Sequence, residues 1–168
     1  MSGGAAAFAR ERDGYLVSDD PALLDVAAVH DALARSYWAE EIPRELIERS
    51  LPNSLCFGLY GPADSPSPDG SESARPQVGF ARVITDRATF AYLCDVYVLE
   101  SLRGRGLGTF LMECLMEHPD LQGLRRFVLV TRDAHALYAK FGFVAPPNPG
   151  AYMEIARPGM YRAARGPA

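Results

Sequence analysis

The stretch Ser101–His118, SLRGRGLGTFLMECLMEH, constrains the fold of this chain more than any other. Three glycines and two arginines fall within Arg103–Gly108, and apolar side chains at helical spacing follow them. Directly before it runs FAYLCDVYVLE, aromatic and β-branched, which reads as a strand. A strand that feeds a helix through a glycine turn predicts a sheet with helices packed on it. Glycine lets a ligand approach the backbone and leaves amide hydrogens uncovered. The helix start adds about half a unit of positive charge, worth roughly 0.3–1 kcal/mol toward an anion. Arg103 and Arg105 add two cations. The stretch is a candidate anion site; it would also serve as a plain strand-to-helix turn with surface arginines.

The rest of the chain supplies the sheet. GYLVS, SLCFGLY, QVGFARVIT, TFAYLCDVYVL, RRFVLVT and AYMEIA read as strands. Between the first two, DDPALLDVAAVHDALARSYW opens with Asp20 as N-cap and Pro21 in the first helical position, and IPRELIERSL gives a second short helix started by Pro43. AHALYAKFG is a short helix closed by Gly142. GPADSPSPDGSESARP, rich in Gly, Pro and Ser, reads as an overgrown hairpin loop rather than a domain linker. The order is β-α-α-β-β-β-α-β-α-β, an α+β or mixed α/β domain over residues 13–168, with residues 1–12 read as a mobile tail.

Which phosphate ligand suits the turn depends on spacing. A nucleotide P-loop needs a Lys-Ser or Lys-Thr pair, and the chain has none. A dinucleotide fingerprint counted from Gly104 meets Thr109 where its third glycine belongs, and LRRFV stands where an acidic residue is expected about 20 positions on. What is present is Arg103-x-x-Gly106-x-Gly108 after DVYVL. Downstream, Ala134, Leu137, Tyr138, Gly142 and Phe143 form A-x-x-L-Y-x-x-x-G-F. Together these resemble the GNAT superfamily of N-acetyltransferases, whose glycine turn wraps the pyrophosphate of acetyl-CoA. The element order matches from about Gly14 to Ile155, the N-terminal half in architecture only.

The resemblance implies a GNAT-like fold: a twisted, mixed central sheet with helices on both faces, splayed between the strands at 89–98 and 126–131. It implies that Val96, Tyr97 and Val98 offer backbone groups to the pantetheine arm, beside a bulge that exposes an amide to the acetyl carbonyl. Arg103, Gly104, Arg105, Gly106, Leu107 and Gly108 would form the pyrophosphate loop, with Thr109 adding its hydroxyl or amide. Many members carry Asn where this chain has Thr131, which keeps one hydrogen bond but lacks the amide's fork. Tyr138 would donate to the departing sulfur, since a phenol with an ordinary pKa of about 10 is protonated at neutral pH. Positioned general acids give about 10²–10⁴ in rate.

An amine acceptor must also lose protons. Asp95, inside an apolar strand beside the proposed acetyl site, is the candidate base, because a buried carboxylate is more basic than a solvated one. It could equally face solvent or cap a loop. Glu100 reads as surface and His135 as solvated. Tyr92 could line an acceptor pocket. Tyr37, Trp38, Glu40 and Glu41 could hold an organic cation through aromatic faces and charge, or Trp38 could cap the sheet.

Composition sets the remaining bounds. At 168 residues, with 48% hydrophobic and 23% charged, the chain can bury a proper core. A net charge of −4 makes nucleic acid a poor partner. No window approaches a membrane span, and MSGGAAAFARERD lacks a signal-peptide core. Cys56, Cys94 and Cys114 lie in apolar runs without metal spacing, as reduced thiols of a cytoplasmic protein would. The expectation is therefore acetyl transfer from acetyl-CoA to a small-molecule or peptide amine, without metal, by a monomer or homodimer. A CoA-binding domain without catalysis is the alternative, and transfer of a longer acyl group is a variant of the first.

Overall fold

A computed structural model describes residues 7–63 and 75–163. Among them, β1 (Ala9–Arg12), β2 (Tyr15–Ser18), β3 (Leu55–Tyr60), β4 (Gln77–Thr85), β5 (Phe90–Val98) and β6 (Arg126–Leu129) pair in chain order into one six-stranded sheet. Every neighbouring pair is antiparallel except β5 with β6, which is parallel. The parallel step follows from α3 (Leu107–Glu117), which carries the chain back across the sheet. The described ends of the Gly- and Ser-rich connection join β3 to β4 as antiparallel neighbours; residues 64–74 lie outside the described residues.

Alternation along the strands divides the core between the two faces. Leu55, Phe57 and Leu59 of β3, with Ala81, Val83, Ala91 and Leu93, pack against Leu107, Phe110, Leu111, Cys114 and Leu115 of α3. Cys56 and Phe80 point the other way, toward Val29 and Leu33 of α1 (Val26–Ala34) and Ile47 of α2 (Arg44–Ser50). Each fully buried Phe or Leu contributes roughly 1.5–3 kcal/mol by leaving water. The mixed sheet covered by helices on both faces is the fold the sequence predicts.

Three elements differ from the expected pattern. Ala9–Arg12 is not tail but edge strand β1, paired with β2. Its side chains are all exposed, and Arg10 and Arg12 reach Glu117 and Glu113 on α3; residues 1–6 lie outside the described residues. The predicted first helix is split: Asp20 caps a 3-10 turn at Pro21–Leu23, and Asp25 separately caps α1 by accepting from the Ala28 amide. AYMEIA forms no strand. After a 3-10 turn at Pro149–Ala151 its backbone finds no ladder partner among the described residues, and Met153 and Ile155 are 97% and 91% exposed. Alternation describes a face, but a strand also needs a neighbour's edge.

Candidate active site

Gly106 is the N-cap of α3, with φ +76° and ψ 5°, and its carbonyl accepts from the Phe110 amide. The left-handed turn exposes the first amides of the helix, which have no intrahelical acceptor. Gly104 also has positive φ, at +79°, and a Cβ added at Gly104 or Gly106 would meet nothing within 4 Å. Arg103 and Arg105 are exposed on the same loop. Arg103 lies 3.9 Å from Glu100, a solvated pair worth little. Glu100–Leu102 forms a 3-10 turn ahead of the loop that the sequence pattern did not predict. Leu107 is buried in the core and Thr109 half-buried, so Leu107 offers only its backbone to the loop. At Gly108 a Cβ would face Leu137 at 3.7 Å, so this glycine fits α3 against α4 (His135–Ala139).

The sheet opens beside this loop. β6 pairs with β5 from Phe90↔Arg126 to Leu93↔Leu129 and no further, while β5 stays paired with β4 as far as Val98. Among the described residues, one edge of Cys94–Val98 therefore has no strand partner. Between Phe80↔Tyr97 and Arg82↔Cys94 three steps of β5 face two of β4, which defines a bulge. Asp95 lies in it at φ +55°, a left-handed conformation unusual for a residue other than glycine. Val96 and Val98 pack toward α3, and Tyr97 turns to the opposite face, its ring 6.2 Å from that of Phe80.

Tyr138, on α4, is 8% exposed and belongs to the core cluster that Val96 and Val98 border. Burial, reinforced by the neighbouring Tyr37 and Asp133, pushes its phenol up to about 12. Thr131 does not enter β6; its hydroxyl accepts from the Ala134 amide at 3.0 Å and so starts the α4 turn. His135 and Glu100 are exposed.

On the other face, Tyr37 and Trp38 pack edge to face at 4.9 Å, and the Arg132 guanidinium lies 3.7 Å above the Tyr37 ring. Tyr37 and Trp38, with Glu40 and residues of the segment from Ile155 to Arg162, line a cavity of about 580 Å³. Glu40 is paired with Arg162 and so is not a free anion for a cation. Tyr92 is not among the cavity's lining residues but stands half-buried on β5 near Asp95, Arg82 and Glu154. Among the described residues no group of three or more His, Cys, Asp or Glu could hold a metal ion, and no helix is long and apolar enough to cross a membrane.

Asp95 is buried, but it is not the partnerless acid that its apolar strand suggests. Arg82 Nε donates to its Oδ2 at 2.7 Å and Trp38 Nε1 to its Oδ1 at 3.2 Å. Arg82 Nη1 also donates to Ser54 Oγ at 3.2 Å. Sequence reasoning missed Arg82, although a lone cation within QVGFARVIT is itself a signal, since a charge on a buried strand requires a partner.

The structure thus holds a glycine-started helix, a bulged strand with one edge unpaired among the described residues, and a buried tyrosine in the core cluster that this strand borders. The profile of the Acetyltransferase (GNAT) family matches residues 28–143. An inferred acetyltransferase of Gibberella zeae is 41% identical over 140 residues, which are 77% of this chain and 78% of that protein. A crystal structure of an inferred GNAT-family acetyltransferase from Xanthomonas campestris pv. campestris is 48% identical, with TM-score 0.78, and the match covers 90% of this chain and 99% of that one. An inferred acetyltransferase from Clostridium acetobutylicum, solved with acetyl-CoA, shares the fold at 16% identity and TM-score 0.57, over 84% of this chain and 94% of that one. The chain belongs to the GNAT acetyltransferase family.

Proposed function

We propose that the protein transfers the acetyl group of acetyl-CoA to a primary amine by direct attack within a ternary complex. The observation that carries this reading is the opening between β5 and β6. There the bulged edge of β5 has no strand partner among the described residues, and Val96 and Val98 border the core cluster that holds both Leu107 of α3 and Tyr138. The residues fit the cosubstrate. Gly104 and Gly106 leave open space over bare amides, Arg103 and Arg105 offset pyrophosphate charge, and Val96–Val98 present backbone groups to the amide-containing arm. Acetyl-CoA supplies an activated thioester. In this reading the bulge at Asp95 would offer a backbone amide to the acetyl carbonyl, where a donor stabilises developing negative charge.

The amine nitrogen bonds to the thioester carbon, and the carbon–sulfur bond breaks. The ammonium form of the acceptor first gives up one proton to solvent, and the second leaves as the amide forms. Tyr138 donates a hydrogen bond to the departing sulfur. Full transfer from a phenol near 12 to a thiolate of ordinary pKa about 8.5 is uphill, so the hydrogen bond itself is the contribution. Tyr37 and Trp38 form the acceptor side, while Tyr92 stands on β5 outside the lining of their cavity. A small-molecule or peptide amine fits the cavity, and a cytoplasmic location fits three free cysteines.

The test is release of free CoA thiol from acetyl-CoA across a panel of primary amines and peptides. Acceleration by at least one acceptor supports the enzyme. Tight CoA binding with no acceleration by any acceptor leaves a CoA-binding domain without catalysis.

A further inference from the structure

Asp95 sits where three parts of the molecule meet: the β5 bulge, the centre of β4, and the loop between α1 and α2. Arg82 reaches it from β4 with both side chains largely buried, at 17% and 8% exposure. Cys56 from β3 and Cys94 from β5 lie on either side of the guanidinium, as its strand partners. Burial pushes both thiols up to about 12, so neither competes as an anion. Trp38 reaches the same carboxylate from the loop whose aromatic rings line the acceptor cavity. Each carboxylate oxygen of Asp95 already accepts a hydrogen bond, Oδ2 from Arg82 and Oδ1 from Trp38. Both oxygens are thus engaged in holding elements together.

We infer that Arg82 is a positioning residue. By pinning the Asp95 carboxylate it holds the β5 bulge and the Trp38 loop in one geometry, so that the acetyl-binding backbone and the acceptor wall stay in register. Asp95 then acts as a joint rather than as the base, and the acceptor's protons go to water. The functional half of this inference rests on the acetyltransferase reading; the joint itself does not.

Trp38 is the only tryptophan in the chain, so its fluorescence reports the joint without any turnover. Asp95→Asn and Arg82→Lys should red-shift its emission and raise its quenching by acrylamide. In turnover, Trp38→Phe should raise the acceptor KM about tenfold, the loss of one hydrogen bond to a charged group, and leave the acetyl-CoA KM alone. Asp95→Asn should keep the acidic limb of its pH–rate profile. Unchanged emission and quenching in both variants would overturn the joint. An acidic limb abolished by Asp95→Asn, with a normal acceptor KM in Trp38→Phe, would restore Asp95 as the base. Should Asp95→Asn fail to fold, Arg82→Lys and the exposed Trp38→Phe decide the question. If no amine accelerates the wild type, the acetyltransferase reading fails, and the fluorescence still decides the joint.

Discussion

Replacing Gly106 by alanine separates the phosphate role of the glycine loop from its backbone role. Gly106 is left-handed at φ +76°, and an added Cβ would meet nothing within 4 Å. Alanine therefore costs conformational strain but no clash, about 1–2 kcal/mol. For a chain of this size each kcal/mol lowers Tm by about 2–4 °C, so the expected fall is about 2–8 °C. Gly123 provides a matched control: it is left-handed at φ +68°, is equally open, and lies in the turn before β6. Gly123→Ala should lose similar stability. The two should part in calorimetric titration with CoA. Gly106→Ala redirects the first amides of α3 and places a methyl over them, and its Kd should rise at least about tenfold, or about 1.4 kcal/mol. Gly123→Ala should bind as the wild type does. Equal, undiminished CoA affinity in both variants would refute the loop as the pyrophosphate site.

Tyr138→Phe should leave CoA affinity unchanged and slow the chemical step by about 10²-fold, about 3 kcal/mol, in single-turnover kinetics; near-normal turnover would remove Tyr138 from the mechanism. The phenol must be protonated to donate, and burial lifts it to about 12. The wild-type rate should therefore rise with pH as the amine deprotonates, with no alkaline limb from this tyrosine below about pH 11. Cys56 and Cys94 are held as thiols near 12 and Cys114 near 11 by burial. Cys94→Ala should accordingly keep full turnover, and mass spectrometry should find no acetylated cysteine. Gly79→Ala would place a Cβ 2.8 Å from the Tyr97 carbonyl oxygen and 2.9 Å from Leu59 Cδ2; this overpacking should cost about 1–3 kcal/mol, read as a lower Tm.

What the sequence made legible was local. The glycine turn, the apolar period of α3 and the motif around Tyr138 each carry their signal within a few residues. β1 was illegible because ARER has no apolar face; neighbouring backbone and the glutamates of α3 hold it. AYMEIA misled for the opposite reason, since its alternation resembles a strand but no edge pairs with it. Asp95 was located without its surroundings: Trp38 and Arg82 lie 57 and 13 residues away, and pairing over such separations leaves no periodic trace. At Gly108 the sequence shows a glycine of the turn but not its second constraint, the Leu137 side chain that an added Cβ would face.

In the proposed reaction an acetyl group passes to a nitrogen without being held covalently by the chain. Acetyl-CoA labelled in its acetyl carbon, incubated with the protein and a primary-amine acceptor, tests this directly. Direct transfer predicts labelled amide in equal amount to the CoA thiol released, with no label on the protein after acid quench. Thiol release without labelled amide, or label retained on a cysteine, would contradict it.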